Sequence, residues 1–466
     1  MRVLICGGGV IGASIAYFLS RRGVEVTVIE RTGLACAASG KSGGFLAFDW
    51  CDGTPLAPLA RRSFVLHAQL AKEVGDDWNY RQVTTYGGSM DLVQHRSLYS
   101  VGWLSSGVNI AQRLGSTETT AQVHPGKFTV ALMRAAEVHG GKLRHGEVTG
   151  LLLRGPRVVG VEIDGEAIAG DAVVVAMGPW SILATQWLPL PAVFGLKGHS
   201  LVFETGDKVS AEALFLEVRE TTGAVQSPEL FPRSDGTTYV CAISSESPLP
   251  LDPTRVSPDV GAIERLEQMC NRMSPVLAAS KILARQACYR PVTRNGLPLI
   301  GRVQGVEGAY VATGHSVWGI LNAPATGEAM AELITDGVAH SVDLSPLRPR
   351  PVCSVRPIAA AKELVCFLAV DHPGRAELID QHAKAGSPEC LLYRHLDRSL
   401  SDNAWNMRSA CPGSSRLIVT ENPFIASRRS GGASDAISIF SPTVSRACMI
   451  LLRQSAGVCS AIGELP

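Results

Sequence analysis

The sequence predicts an α/β fold: a Rossmann-type dinucleotide-binding domain interleaved with a smaller mixed-sheet α+β domain, ahead of a poorly ordered C-terminal tail. Three observations carry this reading. Residues 1–30, MRVLICGGGVIGASIAYFLSRRGVEVTVIE, run strand, glycine turn, helix, strand and acid. A second apolar run, Ala172 to Ala176, ends in the turn Met177-Gly178-Pro179-Trp180, and strand-rich text surrounds it on both sides. After Leu347 neither a strand nor a helix period persists, while Pro, Ser, Arg and Cys recur.

Val3 to Cys6 are continuously apolar, as a strand buried on both faces requires. Gly7, Gly9 and Gly12 follow at GxGxxG spacing. In this context Gly7 permits a tight turn, Gly9 lets the backbone approach a pyrophosphate, and Gly12 lets the helix pack closely on the sheet. The helix N-terminus then turns free amides and partial positive charge toward the phosphates. Ile11, Ile15, Phe18 and Leu19 make its apolar face, and Gly23 stops it. Val26 to Ile29 form the next strand, and Glu30 at its tip is placed to accept hydrogen bonds from ribose hydroxyls, which disfavours a 2′-phosphorylated nucleotide.

The stretch from Arg31 to Ala57 is too rich in small residues for a packed helix. Its Ser39-Gly40-Lys41-Ser42-Gly43-Gly44 segment offers amides and hydroxyls to phosphates or to a ring, or else forms a surface loop. Residues 56–75 read as a helix, 79–93 as strands, and 124–139 as a helix that opens at His124-Pro125 and buries Val130, Leu132, Met133, Ala136 and Val138. Residues 147–168 predict an antiparallel meander that leads into the Ala172–Ala176 strand. Leu201–Phe203, Leu214–Val218, Glu229–Phe231 and Thr237–Ile243 are strands, with a hairpin at Asp235-Gly236, and 260–272 is helical. Farther on, Ala309–Ala312 is a strand, 314–319 a glycine-flanked loop, and 323–336 a helix whose N-terminus suits negative charge on a reduced ring.

The 466 residues are 46% apolar, enough for a large core in two interleaved domains, and the net charge of +1 gives no electrostatic case for nucleic acid or an anionic membrane. No apolar run reaches the roughly 18 residues of a bilayer span. The first strand begins so close to Met1 that no signal or transit peptide is expected ahead of it, and the expected location is cytoplasmic. Twelve cysteines show no CxxC pair, which disfavours zinc and a vicinal redox disulfide.

The GGGVIG opening with Glu30, the SGKSGG loop, the PRSDG turn at Pro232 to Gly236, RPVTRNGLPLIG and ATGHSVWGILNAPATG together resemble FAD-dependent oxidoreductases of the D-amino-acid oxidase (DAO) family. Within it they are most similar to glycine/sarcosine oxidase-like proteins and to plant and algal oxidoreductases. The resemblance spans residues 1 to about 347 and implies a discontinuous FAD-binding domain at 1–55, 125–195 and 286–347, with a substrate domain at 56–124 and 196–285 and a tail at 348–466.

The family implies extended FAD, held at the pyrophosphate by Gly7, Gly9, Val10, Ile11 and Gly12 and at the ribose side by Glu30 and Arg31. Ser42, Gly43 and Gly44 would lie against pyrophosphate and flavin, Val148 beside the adenine, and Ala176, Gly178 and Trp180 near the phosphates. Gly296, Gly314, His315, Trp318, Gly319 and Ile320 would approach the isoalloxazine. The chemistry implied is hydride removal from the carbon beside an amine, imine hydrolysis, and reoxidation by molecular oxygen with release of hydrogen peroxide, or by another electron acceptor.

The resemblance implies catalytic-site roles for Arg290 and His315. Arg290 takes the position at which glycine oxidase-like enzymes present an arginine to the substrate carboxylate, although an arginine before a proline can also pair with a surface acid. His315 polarises groups near the flavin or is a structural loop histidine; Trp318 walls the ring or fills the core. Val317 stands where glycine oxidases can carry a second arginine, and Arg294-Asn295 replaces the usual acid before the glycine. Two other readings stand beside the amine or small amino-acid oxidase: a flavin dehydrogenase with a different acceptor, and a non-catalytic flavin-binding regulatory or trafficking protein. An NAD-dependent dehydrogenase is disfavoured by the flavin-like loop.

Overall fold

The computed structural model describes residues 1–75, 77–92 and 97–350; the tail expected at 348–466 lies, from 351 onward, outside the described residues. The chain opens with β1 (Arg2–Cys6), α1 (Val10–Arg21) and β2 (Glu25–Glu30). β1 is apolar throughout its core because it pairs in parallel with β2 on one side and with Ala172–Val175 on the other. Gly7 has φ +116°, and a Cβ there would lie 2.5 Å from the Ala176 carbonyl oxygen. A Cβ on Gly12 would lie 2.0 Å from the Gly7 oxygen, so helix and turn meet backbone to backbone.

The small-residue segment does form one helical turn, α2 (Ala38–Lys41), contrary to expectation. Gly40 makes it possible, since a Cβ there would meet the Ala35 oxygen at 2.2 Å. There follow β3 (Phe45–Ala47), α3 (Ala57–Glu73), β4 (Arg81–Gln82), β5 (Thr85–Met90), β6 (Val108–Gly115), β7 (Thr120–Gln122) and α4 (Pro125–Val138). His124 caps α4, its Nδ1 accepting the Lys127 amide at 3.3 Å. Phe128, Leu132 and Ala136 form the buried stripe of α4 at four-residue spacing, whereas Val138 falls off it and is 83% exposed. β8 (Lys142–His145) precedes the meander β9 (Val148–Arg154), β10 (Arg157–Ile163) and β11 (Glu166–Ala169), and β12 (Ala172–Val175) returns to the side of β1.

The remaining strands are β13 (Val193–Glu204), β14 (Ala213–Arg219), β15 (Val225–Gln226), β16 (Glu229–Pro232), β17 (Thr237–Ser245), β18 (Lys281–Thr293), β19 (Leu299–Arg302) and β20 (Ala309–Thr313). The helices among them are α5 (Ala262–Met273), α6 (Pro275–Ala279) and α7 (Gly319–Thr335). α5 starts two residues later than expected, because Gly261 is left-handed at φ +76° and Val260 is fully exposed.

Two large sheets result. The first has the order β19-β20-β12-β1-β2-β8, parallel except for β19. The second has eight strands, β18-β13-β17-β16-β14-β5-β6 with β15 on β14. Alternation in the second sheet turns Leu201, Phe203, Leu214, Leu216, Leu230 and Val240 toward Leu266, Met269 and Cys270 of α5, and leaves the other face for a site. β13 and β18 pair along their whole length, so strands of this sheet run across the sequence positions 195/196 and 285/286 at which the domains were divided. Among the described residues no helix is long and apolar enough to cross a membrane, and the six described cysteines form no disulfide.

α3, assigned from the sequence to the substrate domain, instead shares a core with α1 and α7. The reason lies in Pro324, inside α7. Proline cannot donate to the Ile320 carbonyl, and its ring displaces the next helical bond as well. His67 of α3 repairs this, its Nε2–H donating to Ile320 O at 2.9 Å and Leu321 O at 3.2 Å. The Ala325 amide donates to Ser63 Oγ at 3.0 Å. With these bonds α7 begins at Gly319, before the residue 323 expected from the sequence.

His67 Nδ1 is buried without a partner among the described residues, so a second proton on the ring would be a donor with none of them to meet it. Burial pushes its pKa down to about 4 from 6.5. Between those values the unfolded chain binds a proton that the folded chain refuses, so stability present above pH 6.5 is lost as pH falls toward 4. His67→Leu is expected to destabilise the fold by about 1–3 kcal/mol near neutral pH, from two abandoned carbonyls, and to flatten the acid slope. Denaturant unfolding at about pH 7 and about pH 5 checks both effects.

Candidate active site

A cavity of about 530 Å³ runs from the glycine turn after β1 to the open face of the second sheet. At one end it is lined by Gly7, Gly9, Val10, Ile11, Glu30, Arg31 and Val148; at the other by His315, Arg290 and residues of β16 and β17.

At the first end the Glu30 carboxylate is already engaged. Oε2 accepts the Gly8 amide at 2.7 Å, and Oε1 accepts those of Thr32 at 2.7 Å and Gly33 at 3.2 Å. The acid therefore shapes both turns around it as well as facing the cavity, and its remaining lone pairs are what it can offer a sugar. The Val10 amide at the head of α1 donates to Ser39 Oγ at 2.9 Å, which ties the small-residue loop to the helix N-terminus. A proline-rich loop between β17 and α5 roofs this end. Its carbonyls are held by Tyr289 (to Pro248, 2.5 Å), Trp180 (to Pro250, 2.8 Å) and Arg31 (to Leu251, 2.6 Å). Arg31 also pairs with Glu147 at 2.6 Å.

Along the middle stand Ala176, Gly178 and Trp180 on one side and Ser42 and Gly43 on the other. Gly43 fits against aromatic rings, since a Cβ would meet Phe231 at 2.3 Å. The half-buried Arg233, over the Tyr239 ring, donates to Ser42 O at 3.0 Å and holds the loop in place. Ser42 Oγ is buried on the cavity wall with no hydrogen-bond partner among the described residues.

At the far end, Gly319 and Ile320 at the head of α7 line the cavity beside His315. His315 Nε2 is 3.1 Å from Thr326 Oγ1, and burial pushes its pKa down to about 3, so the imidazole is neutral at physiological pH. Arg290 of β18 faces the cavity and makes no hydrogen bond or ion pair among the described residues, which removes the surface-acid alternative. A Cβ on Gly198 of the neighbouring β13 would lie 3.0 Å from an Arg290 guanidinium nitrogen, so the side chain lies across that glycine.

Five expected contacts do not line the cavity. Gly12 is buried against Gly7 O, and Gly44 (φ +81°) against Val123 O, where a Cβ would fall at 2.0 Å in each case. Gly296 sits in the turn after β18 with open space around it, Gly314 (φ +79°) backs onto Thr293, and Trp318 packs on the core beneath α1 and α7. These are conformational or packing positions that set the cavity walls from behind. Conversely, Glu229, Tyr239, Cys241 and Cys288 line the cavity and were not singled out. The signal for them was the strict alternation in ELFP, YVC and CYR, whose odd members share one face with Arg290.

Residues 2–333 match the family model described as FAD dependent oxidoreductase, DAO. The chain belongs to the DAO family of FAD-dependent oxidoreductases. It is 31% identical over 383 residues to a Schizosaccharomyces pombe protein named only by reaction class, as an oxidoreductase; the match covers 74% of this chain and 97% of that protein. To the glycine oxidase of Pseudomonas putida it is 25% identical over 380 residues, 75% of this chain and 98% of the relative. Among solved structures, glycine oxidase from Geobacillus kaustophilus is similar with a TM-score of 0.65 at 25% identity, over 76% of this chain and 100% of that one.

The cofactor of this DAO-family chain is FAD. The cavity fits it by three marks: glycines whose added Cβ atoms would collide, an unpartnered Ser42 hydroxyl on the wall, and two helix N-termini opening on the same space. Glu30→Gln replaces a carboxylate oxygen with a donor that faces the Gly8 or Thr32 amide. FAD affinity should fall roughly tenfold to a hundredfold, for the loss of charge-assisted bonds, as measured by reconstitution of the apoprotein.

Proposed function

We propose that this DAO-family oxidoreductase oxidises a small amine that carries a carboxylate, such as an amino acid, at the carbon beside the nitrogen. The observation that carries the reading is Arg290: a guanidinium brought into the cavity across Gly198, with no hydrogen bond or ion pair to it among the described residues. A planar fork so placed suits a carboxylate. The similarity to glycine oxidases, which act on a compound of this kind by name, supports the same class.

In this reading Gly7, Gly9, Val10 and Ile11 hold the pyrophosphate, Glu30 and Arg31 the adenosine ribose side, and Val148 the adenine. Ser42 and Gly43 flank the cofactor from below, while Ala176, Gly178 and Trp180 do so from the opposite wall. FAD, when bound, supplies the two-electron acceptor. The head of α7 turns its first amides toward the end of the cavity where negative charge would gather, and a neutral His315 adds no competing cation. Arg290 fixes the substrate's carboxylate, so that one C–H bond is held in a single orientation. Molecular oxygen completes the cycle, with release of hydrogen peroxide.

Anaerobic mixing of the yellow protein with a panel of amino acids and carboxylate-free amines tests this. Carboxylate-bearing amines should bleach the visible flavin band and the others should not; bleaching only by carboxylate-free amines would refute it. Arg290→Met should lower kcat/KM for the responsive substrate by roughly a hundredfold with flavin content unchanged. Readmission of air should yield peroxide in proportion to substrate consumed.

A further inference from the structure

The wall that carries Arg290 also carries an acid. Glu229 opens β16, paired with Cys241 of β17, and alternation sends Leu230 to the apolar core and Glu229 to the cavity. Among the described residues its one side-chain hydrogen bond comes from a weak donor, Cys241 Sγ, 3.5 Å from Oε2. No Lys, Arg or His forms an ion pair with Glu229 among the described residues. Arg290 acts on it through space without touching it. A half-buried carboxyl with so little compensation is costly unless something else fills the gap, and what lies between Glu229 and Arg290 is the substrate end of the cavity.

We propose that Glu229 receives the amino group of the substrate, so that the cavity binds a zwitterion with its carboxylate on Arg290 and its ammonium on Glu229, and that Glu229 takes the proton the ammonium must lose. This deepens the function proposed above and rests on its assignment of Arg290. An amine enters neutral solution as the ammonium ion, whose nitrogen has no lone pair to assist departure of the neighbouring hydride. Transfer of one proton converts carboxylate and ammonium to carboxylic acid and free amine, with no change in oxidation state. The proton leaves Glu229 for solvent when product departs.

The groups facing Glu229 are suited to this. Tyr239 and Cys241 of β17 and Cys288 of β18 are pushed up by burial and stay neutral, which leaves Arg290 as the charge that faces the acid. Burial raises the Glu229 carboxyl above the usual carboxylate range, while Arg290 and the Cys241 thiol draw it back.

The test uses flavin-loaded protein without oxygen, titrated with glycine and with glycolate, the same acid with hydroxyl in place of ammonium, and followed by the flavin spectrum. Wild type should prefer glycine by about tenfold or more, the factor for a charge-assisted contact. Lowering the pH should erase the preference as Glu229 is protonated. Glu229→Gln should lose the preference at every pH while binding glycolate as before, and Glu229→Asp should keep part of it; should the glutamine variant lose its flavin, wild type and the aspartate variant still decide. Equal affinity for the two ligands in wild type, or an unchanged preference in the variants, overturns the role of Glu229. If glycolate binding still depends on Arg290, the carboxylate reading stands; if neither ligand senses Arg290→Met, both fall.

Discussion

Helix α1 is pinned between two peptide contacts, and the cavity takes its shape from them. On the sheet side, Gly12 presses on the Gly7 carbonyl; on the other side, Gly327 of α7 crosses at Ser14, where an added Cβ would lie 2.7 Å from the peptide. Neither approach tolerates a side chain. Because both faces of α1 are fixed by backbone, its N-terminus and that of α7 open on the same space in a set relation. The two ends of the cavity are thus located by packed helices rather than by loop conformation, which is what orientation-dependent chemistry requires.

The proline in α7 extends this constraint to a third helix. Pro324 leaves carbonyls and an amide without helical partners, and α3 supplies His67 and Ser63 to meet them. Arg62 of α3 adds an ion pair to Glu328, 2.6 Å away. A helix that was assigned by sequence position to the substrate half therefore belongs, by hydrogen bonding, to the layer that carries the cofactor site.

The β1-α1-β2 unit was legible because local signals agree there: apolar run, glycine spacing, helix periodicity and terminal acid. The meander and the β12 return were legible for the same reason. α3's allegiance was not, since it depends on carbonyls freed by a proline far along the chain. Gly12, Gly44 and Gly314 were read as ligand contacts because motif spacing does not distinguish a glycine facing a ligand from one facing a peptide. Glu229, Cys241 and Cys288 are not legible as site residues for a different reason: they lie on three separate strands, and only the register of β16, β17, β13 and β18 places them on one face with Arg290.

The proline-rich roof has a further consequence. Its three clasped carbonyls, at Pro248, Pro250 and Leu251, stand over the end of the cavity lined by Glu30 and Arg31, and Asp259 anchors the loop's exit through Lys197 and Ser247. Among the described residues no such clasp spans the mouth beside Val317, which is half exposed. The bolted end would keep a coenzyme as a long-term tenant, whatever small molecules trade places at the other.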